Sequence, residues 1–405
     1  MEKKEENEIK KNEENPNNFD KDEFFHSQNP EFHETNGPIG MKNSENDPEE
    51  YEHLKTIVSA FLNYQVDSLR DVQRMERDFK SIDRKYKERL SFNYMDRIEK
   101  IKKAIWQNYT FLLKIVQPYN QMFKMIKTST GEVLIEPLMV QPKDIIKMRS
   151  TIKLFIRDWT IEGKKERDLT YNPIIEEIKN YYGENNVKNK NVKILMPGGG
   201  LCRLAYDIGK LGFDIDVIEV SYYMIICTDF IFNSNISMNS YKIQPLIHSF
   251  NCLKYENSPF QTFDFPDENI CEIMNSSSFG KINIIPGDFV KSFKDKKNVY
   301  ECIVTSFFID TANNIIEFIE IIYNLLKKDG IWINVGPLLY HFHDIKNEIS
   351  IELSWEELRK VILKFGFEIK NEKIIDSTYS SVEERLKTTI YSCIFFTAVK
   401  KENNN

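Results

Sequence analysis

Between residues 54 and 62 the apolar positions are Leu54, Ile57, Val58, Phe61 and Leu62. They fall three and four apart, which predicts an amphipathic helix, and a second helix is expected to begin near Val66. Ile98, Ile101, Ala104 and Ile105, running on to Leu112 and Leu113, mark another, with Pro118 closing it. Residues 49–135 therefore read as a helical N-terminal region. "PKDIIKMRSTIKLFIRDWTIEGKKERD" and "NPIIEEIKNYYG" predict two further helices.

The pattern then changes. "VKILMP" is a short strand-like run, "LCRLAYDIGKLG" is helical, and "DIDVIEV" is a strand again. "YECIVTSFFID" predicts a strand, "NNIIEFIEIIYNLLKKDG" a helix stopped at Gly330, and "GIWINVGP" a strand. Strands alternating with helices imply an α/β fold with a mostly parallel, doubly wound sheet. That domain is expected over residues 136–400, with an insertion or long loop at 234–284. The ends, 1–48 and 401–405, read as tails; "MEKKEENEIKKNEENPNN" has too little apolar surface to offset its ordering entropy.

Composition narrows the function. The net charge is −7, and the lysine runs are interleaved with acids, which argues against nucleic acid as a partner. The six cysteines form no C-x-x-C pair, so neither a zinc site nor a disulfide framework is expected. No stretch looks like a secretory signal or a membrane span. The expected location is the cytoplasm, with the nucleus also open.

Chemistry enters at "PGGGLCRL". Only 15 glycines occur in 405 residues, yet Gly198, Gly199 and Gly200 are adjacent, at a predicted strand-to-helix turn. Such a turn needs positive φ and close backbone approach, and ligands of open α/β sheets bind beyond it. Glu219, at the end of the next predicted strand, is placed to accept both hydroxyls of a ribose. Arg203 stands where a dinucleotide fingerprint wants glycine, which favours a nucleoside ligand such as S-adenosylmethionine. The alternative is an ordinary tight turn with a surface glutamate. In "IPGDFV", Asp288 could reach an adenine amino group with Phe289 beside the ring, or simply make a turn. In "TSFFIDTANN", Asp310 could be an active-site acid at a strand end or the N-cap of the next helix. His341 and His343 in "YHFHD" lack a third ligand type and do not make a metal site.

"LMPGGGLCRLAYDIGKLGF", "GDF", "SFFIDTANNIIEFIEIIYNLLKKDGIWINVGPLLYHF" and "SIELSWEELRKVILKFGFEI" together resemble the carnosine N-methyltransferase family. "FIRDWTIEGKKERDLTYNPII" and the helical stretch from Glu49 resemble its N-terminal part, so the likeness spans roughly residues 49–400. The resemblance implies a class I methyltransferase, with a Rossmann-like sheet and a helical N-terminal region. It implies methyl transfer from S-adenosyl-L-methionine, with no metal, to the imidazole N-π of carnosine or a related histidine-containing dipeptide. By the same likeness, Arg157, Gly198, Glu219, Asp288, Phe289 and Ser306 would bind the cofactor. Asp310, His341 and Tyr391 would bind the acceptor, with Asp310 catalytic, and a homodimer is implied as well.

The residues agree with that chemistry. Only an unprotonated imidazole nitrogen can attack a methyl group. A carboxylate that accepts the far N–H fixes the tautomer and raises basicity, a role that suits Asp310. The chain departs from the family at Leu154 for Gln, Cys202 for Gly, Val220 for Trp and Ser306 for Cys. A protein-histidine or other small-molecule methyltransferase, and a non-catalytic cofactor-binding scaffold, stay open as alternatives.

Overall fold

The computed structural model describes Pro38 and residues 47–127, 133–183, 192–381 and 385–401. Most of the two tails lies outside them. Asp47 opens the first helix by accepting the Glu49 and Glu50 N–H groups, as an N-cap aspartate does. The first helices are α1 (Pro48–Leu62), α2 (Tyr64–Ser81) and α3 (Tyr94–Val116). A two-stranded antiparallel ribbon, Met125–Lys127 with Val133–Ile135, follows inside the stretch expected to be helical.

Two more helices are α4 (Pro142–Trp159) and α5 (Lys164–Tyr182). The second starts eight residues before the expected Asn172 and carries Pro173 inside it. Proline there removes one helical hydrogen bond; the buried Arg167, Thr170, Tyr171 and Ile174 anchor the helix around it.

The sheet strands are β1 (Lys193–Pro197), β2 (Asp214–Glu219), β3 (Ile282–Pro286), β4 (Tyr300–Ser306), β5 (Leu326–Gly336), β6 (Phe367–Ser377) and β7 (Tyr391–Lys400). Their order is β6-β7-β5-β4-β1-β2-β3. All neighbours from β5 to β3 are parallel, and β7 runs antiparallel between β5 and β6. The connecting helices are α6 (Arg203–Gly209), α7 (Tyr222–Asn233), α8 (Phe289–Phe293), α9 (Ile315–Leu325) and α10 (Trp355–Phe365). Helix α9 stops at Leu325, short of the expected Gly330, because Leu326 turns extended and pairs with Tyr300 of β4. The buried side of that residue belongs to the sheet core, which outweighs continuing the helix.

Residues 234–284 are not a bare loop. Tyr241–Ile243 pairs with Phe263–Phe265, and Phe265 packs against Phe111 of α3 and Phe155 of α4 at ring separations of 5.6 and 5.0 Å. Buried Asn108 of α3 completes the join, donating to the Gln244 carbonyl and accepting its N–H. One hydrophobic core therefore runs from the N-terminal helices through this stretch to α7. Two others lie on the two faces of the sheet.

Candidate active site

The three glycines answer separate steric demands. Gly198 (φ +73°) and Gly200 (φ +54°) take left-handed backbone, as does Cys202 (φ +59°) at the mouth of α6. A Cβ on Gly198 would lie 2.5 Å from the Phe308 ring, and one on Gly199 would lie 2.2 Å from Val217 of β2. Side chains are excluded at both. A Cβ on Gly200 would meet nothing within 4 Å, so the loop opens there to free space beyond the carboxyl end of β1. Cys202 holds its left-handed turn with a β-carbon, at a steric cost glycine avoids.

Glu219 ends β2 and is 9% exposed. Its carboxylate accepts the Gly200 N–H and the Ser221 N–H, both at 2.9 Å. Burial raises its pKa, and the N–H groups of Ser221, Gly200 and Val220 oppose the shift. The Gly198 N–H donates to the Ile218 carbonyl and the Gly287 N–H to the Glu219 carbonyl, which laces the ends of β1, β2 and β3 together. Asp288, the next residue, is the N-cap of α8 and accepts the Lys291 N–H at 2.9 Å. Phe289 is buried beside it, its ring 5.6 Å from that of Phe308.

Arg157 reaches the same edge from the last turn of α4. Its guanidinium lies 3.0 Å from Glu166 and 3.3 Å from Asp158, beneath the Tyr379 ring at 4.6 Å and near Phe307 at 5.5 Å. Trp159 donates its indole N–H to the Leu201 carbonyl, which holds this helix end against the glycine loop. Glu166, Asp158 and Tyr379 were not singled out in sequence. Nothing local marks them, since Glu166 and its partner Thr378 are 212 residues apart. Ser306 ends β4, and its buried hydroxyl has no hydrogen-bond partner among the described residues.

Asp310 sits in a 3-10 turn after β4 and is 2% exposed. It does not cap α9; Asn314 does, accepting the Ile316 N–H. Its Oδ2 accepts the Leu339 N–H at 2.9 Å, and its carbonyl accepts the His341 N–H at 3.0 Å. Burial raises the Asp310 pKa, with the Leu339 N–H and the His341 charge opposing. His341 is exposed on the segment after β5. Tyr391, half-buried, begins β7. Because β7 is antiparallel, its first residues lie at the edge where β4 and β5 end. The nine residues to which the family resemblance assigns a role thus lie at the carboxyl edge of the parallel strands. His343 is different: exposed, it lies 3.1 Å from Glu352.

A surface cavity of about 550 Å³ lined by Lys100, Tyr255, Asn257, Ser258, Phe260 and Gln261 shares no residue with this edge. Among the described residues, no helix is long and apolar enough to cross a membrane, and no three metal-ligating side chains converge.

The strand order with its antiparallel β7, the glycine loop after β1 and the acid closing β2 define a class I methyltransferase. The chain matches the carnosine N-methyltransferase family model over residues 134–402 and belongs to that family. It is 36% identical over 355 residues to the carnosine N-methyltransferase of Mus musculus, covering 87% of both chains. The Dictyostelium discoideum protein of the same name is 34% identical over 362 residues, which is 87% of this chain and 77% of its own. The one from Schizosaccharomyces pombe is 29% identical, over 86% of this chain and 95% of its own. Among solved structures, the magnesium protoporphyrin IX methyltransferase of Synechocystis PCC 6803 aligns over 64% of this chain and 100% of its own. At 11% identity and a TM-score of 0.37, that likeness is too loose to bear on the site.

Proposed function

We propose that this protein moves a methyl group from S-adenosyl-L-methionine to the N-π of the histidine ring in carnosine, giving anserine, or to the same atom of a related dipeptide. The observation that carries the reading is the Asp310 carboxylate. It is buried and held at one oxygen by the Leu339 N–H, on the sheet edge where Glu219 and the open face of Gly200 also lie.

The residues present fit the cofactor. Ser306 offers a buried hydroxyl without a partner among the described residues, and Gly200 leaves a space that any side chain would fill. In this reading Glu219 takes the ribose hydroxyls, and Asp288 turns its uncommitted oxygen to the adenine amino group with Phe289 alongside. Arg157 takes the methionine carboxylate, and Ser306 closes the cradle. The bound donor would supply an electrophilic methyl group.

The chain's own contribution is positioning. Asp310 accepts the N–H of the imidazole nitrogen that does not react, which leaves the other nitrogen unprotonated. His341 and Tyr391 hydrogen-bond the rest of the dipeptide. Holding both reactants in line converts a bimolecular displacement into an effectively unimolecular step.

The test incubates the purified protein with labelled S-adenosylmethionine and carnosine, free histidine or cell lysate. Transfer to carnosine, with NMR placing the methyl on N-π, supports the reading. Label only on lysate protein, or cofactor binding without transfer, overturns it.

A further inference from the structure

Lys153 stands one turn before Arg157 on α4, its ammonium donating to Ser249 Oγ at 3.1 Å. Arg385, six residues before Tyr391, meets the same segment. Its Nη1 donates to the carbonyls of Ser249 at 2.9 Å and Asn251 at 3.2 Å. The Leu386 N–H donates to the Cys252 carbonyl at 2.9 Å, and a β-bridge joins Leu253 to Arg385, so the placement is fixed by backbone. Both cations are half-buried.

Neither forms an ion pair with a carboxylate among the described residues; their hydrogen bonds go to a hydroxyl and two carbonyls. Several other buried or half-buried arginines here are neutralised. Arg149 meets Asp67 and Asp71, Arg167 meets Asp267, and Arg203 meets Asp207, Asp267 and Glu268. Burial lowers the Lys153 pKa, and the nearby Arg385 charge adds to that shift. Such a pair is relieved by an anion between them.

Its place identifies the anion. One helical turn, about 5.4 Å of rise, separates Lys153 from Arg157, which lies beside Phe307, three residues before Asp310. Arg157 already accounts for the cofactor's carboxylate in the reading above. The segment carrying Arg385 leads straight into Tyr391.

We propose that Lys153 and Arg385 form an anion subsite that takes the carboxylate of the methyl acceptor. The proposal rests on the dipeptide reading and deepens it. The guanidinium fork suits a carboxylate bidentately, and the ammonium supplies the second charge. Anchoring that end aligns the imidazole with Asp310.

The test compares carnosine with its decarboxylated analogue, β-alanylhistamine, which keeps the imidazole and lacks only the carboxylate. With the parent protein, removing the carboxylate is expected to lower kcat/KM by about tenfold or more, chiefly through KM. Arg385→Gln and Lys153→Met are expected to show that loss with carnosine and no added loss with the analogue, at unchanged S-adenosylmethionine affinity. Equal use of both acceptors by the parent overturns the subsite while leaving the methyltransferase reading intact. Weakened cofactor binding with undiminished discrimination between acceptors overturns it as well. Should the variants fail to fold, the parent's comparison still decides. A parent that methylates no dipeptide overturns the functional reading and the subsite with it.

Discussion

Glu166 Oε1 lies 3.0 Å from Arg157 Nε, and both residues are buried. The same carboxylate accepts Thr378 Oγ1 at 2.8 Å and the N–H groups of Ser380 at 2.8 Å and Ser381 at 3.3 Å. One side chain of α5 thus fixes both the arginine and the segment after β6 that lays Tyr379 over it.

Glu166→Ala is expected to leave Arg157 buried with Asp158 alone and to free the Thr378–Ser381 segment. Breaking a buried pair from one side costs about 3 kcal/mol. Denaturant unfolding should read that loss, and the Kd for S-adenosylmethionine should rise. Glu166→Gln, which keeps the acceptor oxygen, should recover part of both.

Asp310→Asn is expected to lower kcat on carnosine by on the order of 100-fold or more, with little change in cofactor Kd. Steady-state kinetics and calorimetry on one preparation check it. Unchanged turnover would remove the orienting role.

Glu219→Gln should act on the other ligand. One oxygen remains for a backbone N–H, but the new amide faces a second N–H and the charge is gone. Cofactor affinity should fall about tenfold or more, read by calorimetry, with kcat at saturating cofactor much less affected.

Stability should depend on pH through His248. Its Nε2 lies 2.9 Å from the Tyr64 hydroxyl between the helices. Burial, with the charges of Arg149 and Lys153, holds its pKa well below 6.5. The unfolded chain takes up a proton there as the pH drops below about 6.5, while the folded chain does not. This contribution is therefore complete above that pH and shrinks below it, at up to about 1.4 kcal/mol per pH unit. Unfolding midpoints between pH 5 and 7.5 should fall less steeply for His248→Gln than for the parent.

Much of the architecture is written in local pattern. Alternating strand and helix runs foretell the sheet, and the Gly198–Gly200 triplet foretells the left-handed turn after β1, because both are short-range demands of φ and strand length. Asp288 and Asp310 show the limit. Both are acids after a strand, and either could cap a helix. Only folding shows that Asp288 does so for α8, while Asn314 relieves Asp310 of that duty.

By itself, then, the sequence determined the order of the elements, the glycine loop and the candidate acids, since backbone sterics and hydrophobic periodicity act between near neighbours. Tertiary structure decided which distant groups meet: Glu166 with Thr378, Asp310 with Leu339, Lys153 and Arg385 with Ser249. These pairings depend on where the chain returns across the sheet, and on burial that turns ordinary charges into costly ones, which no stretch of residues encodes alone.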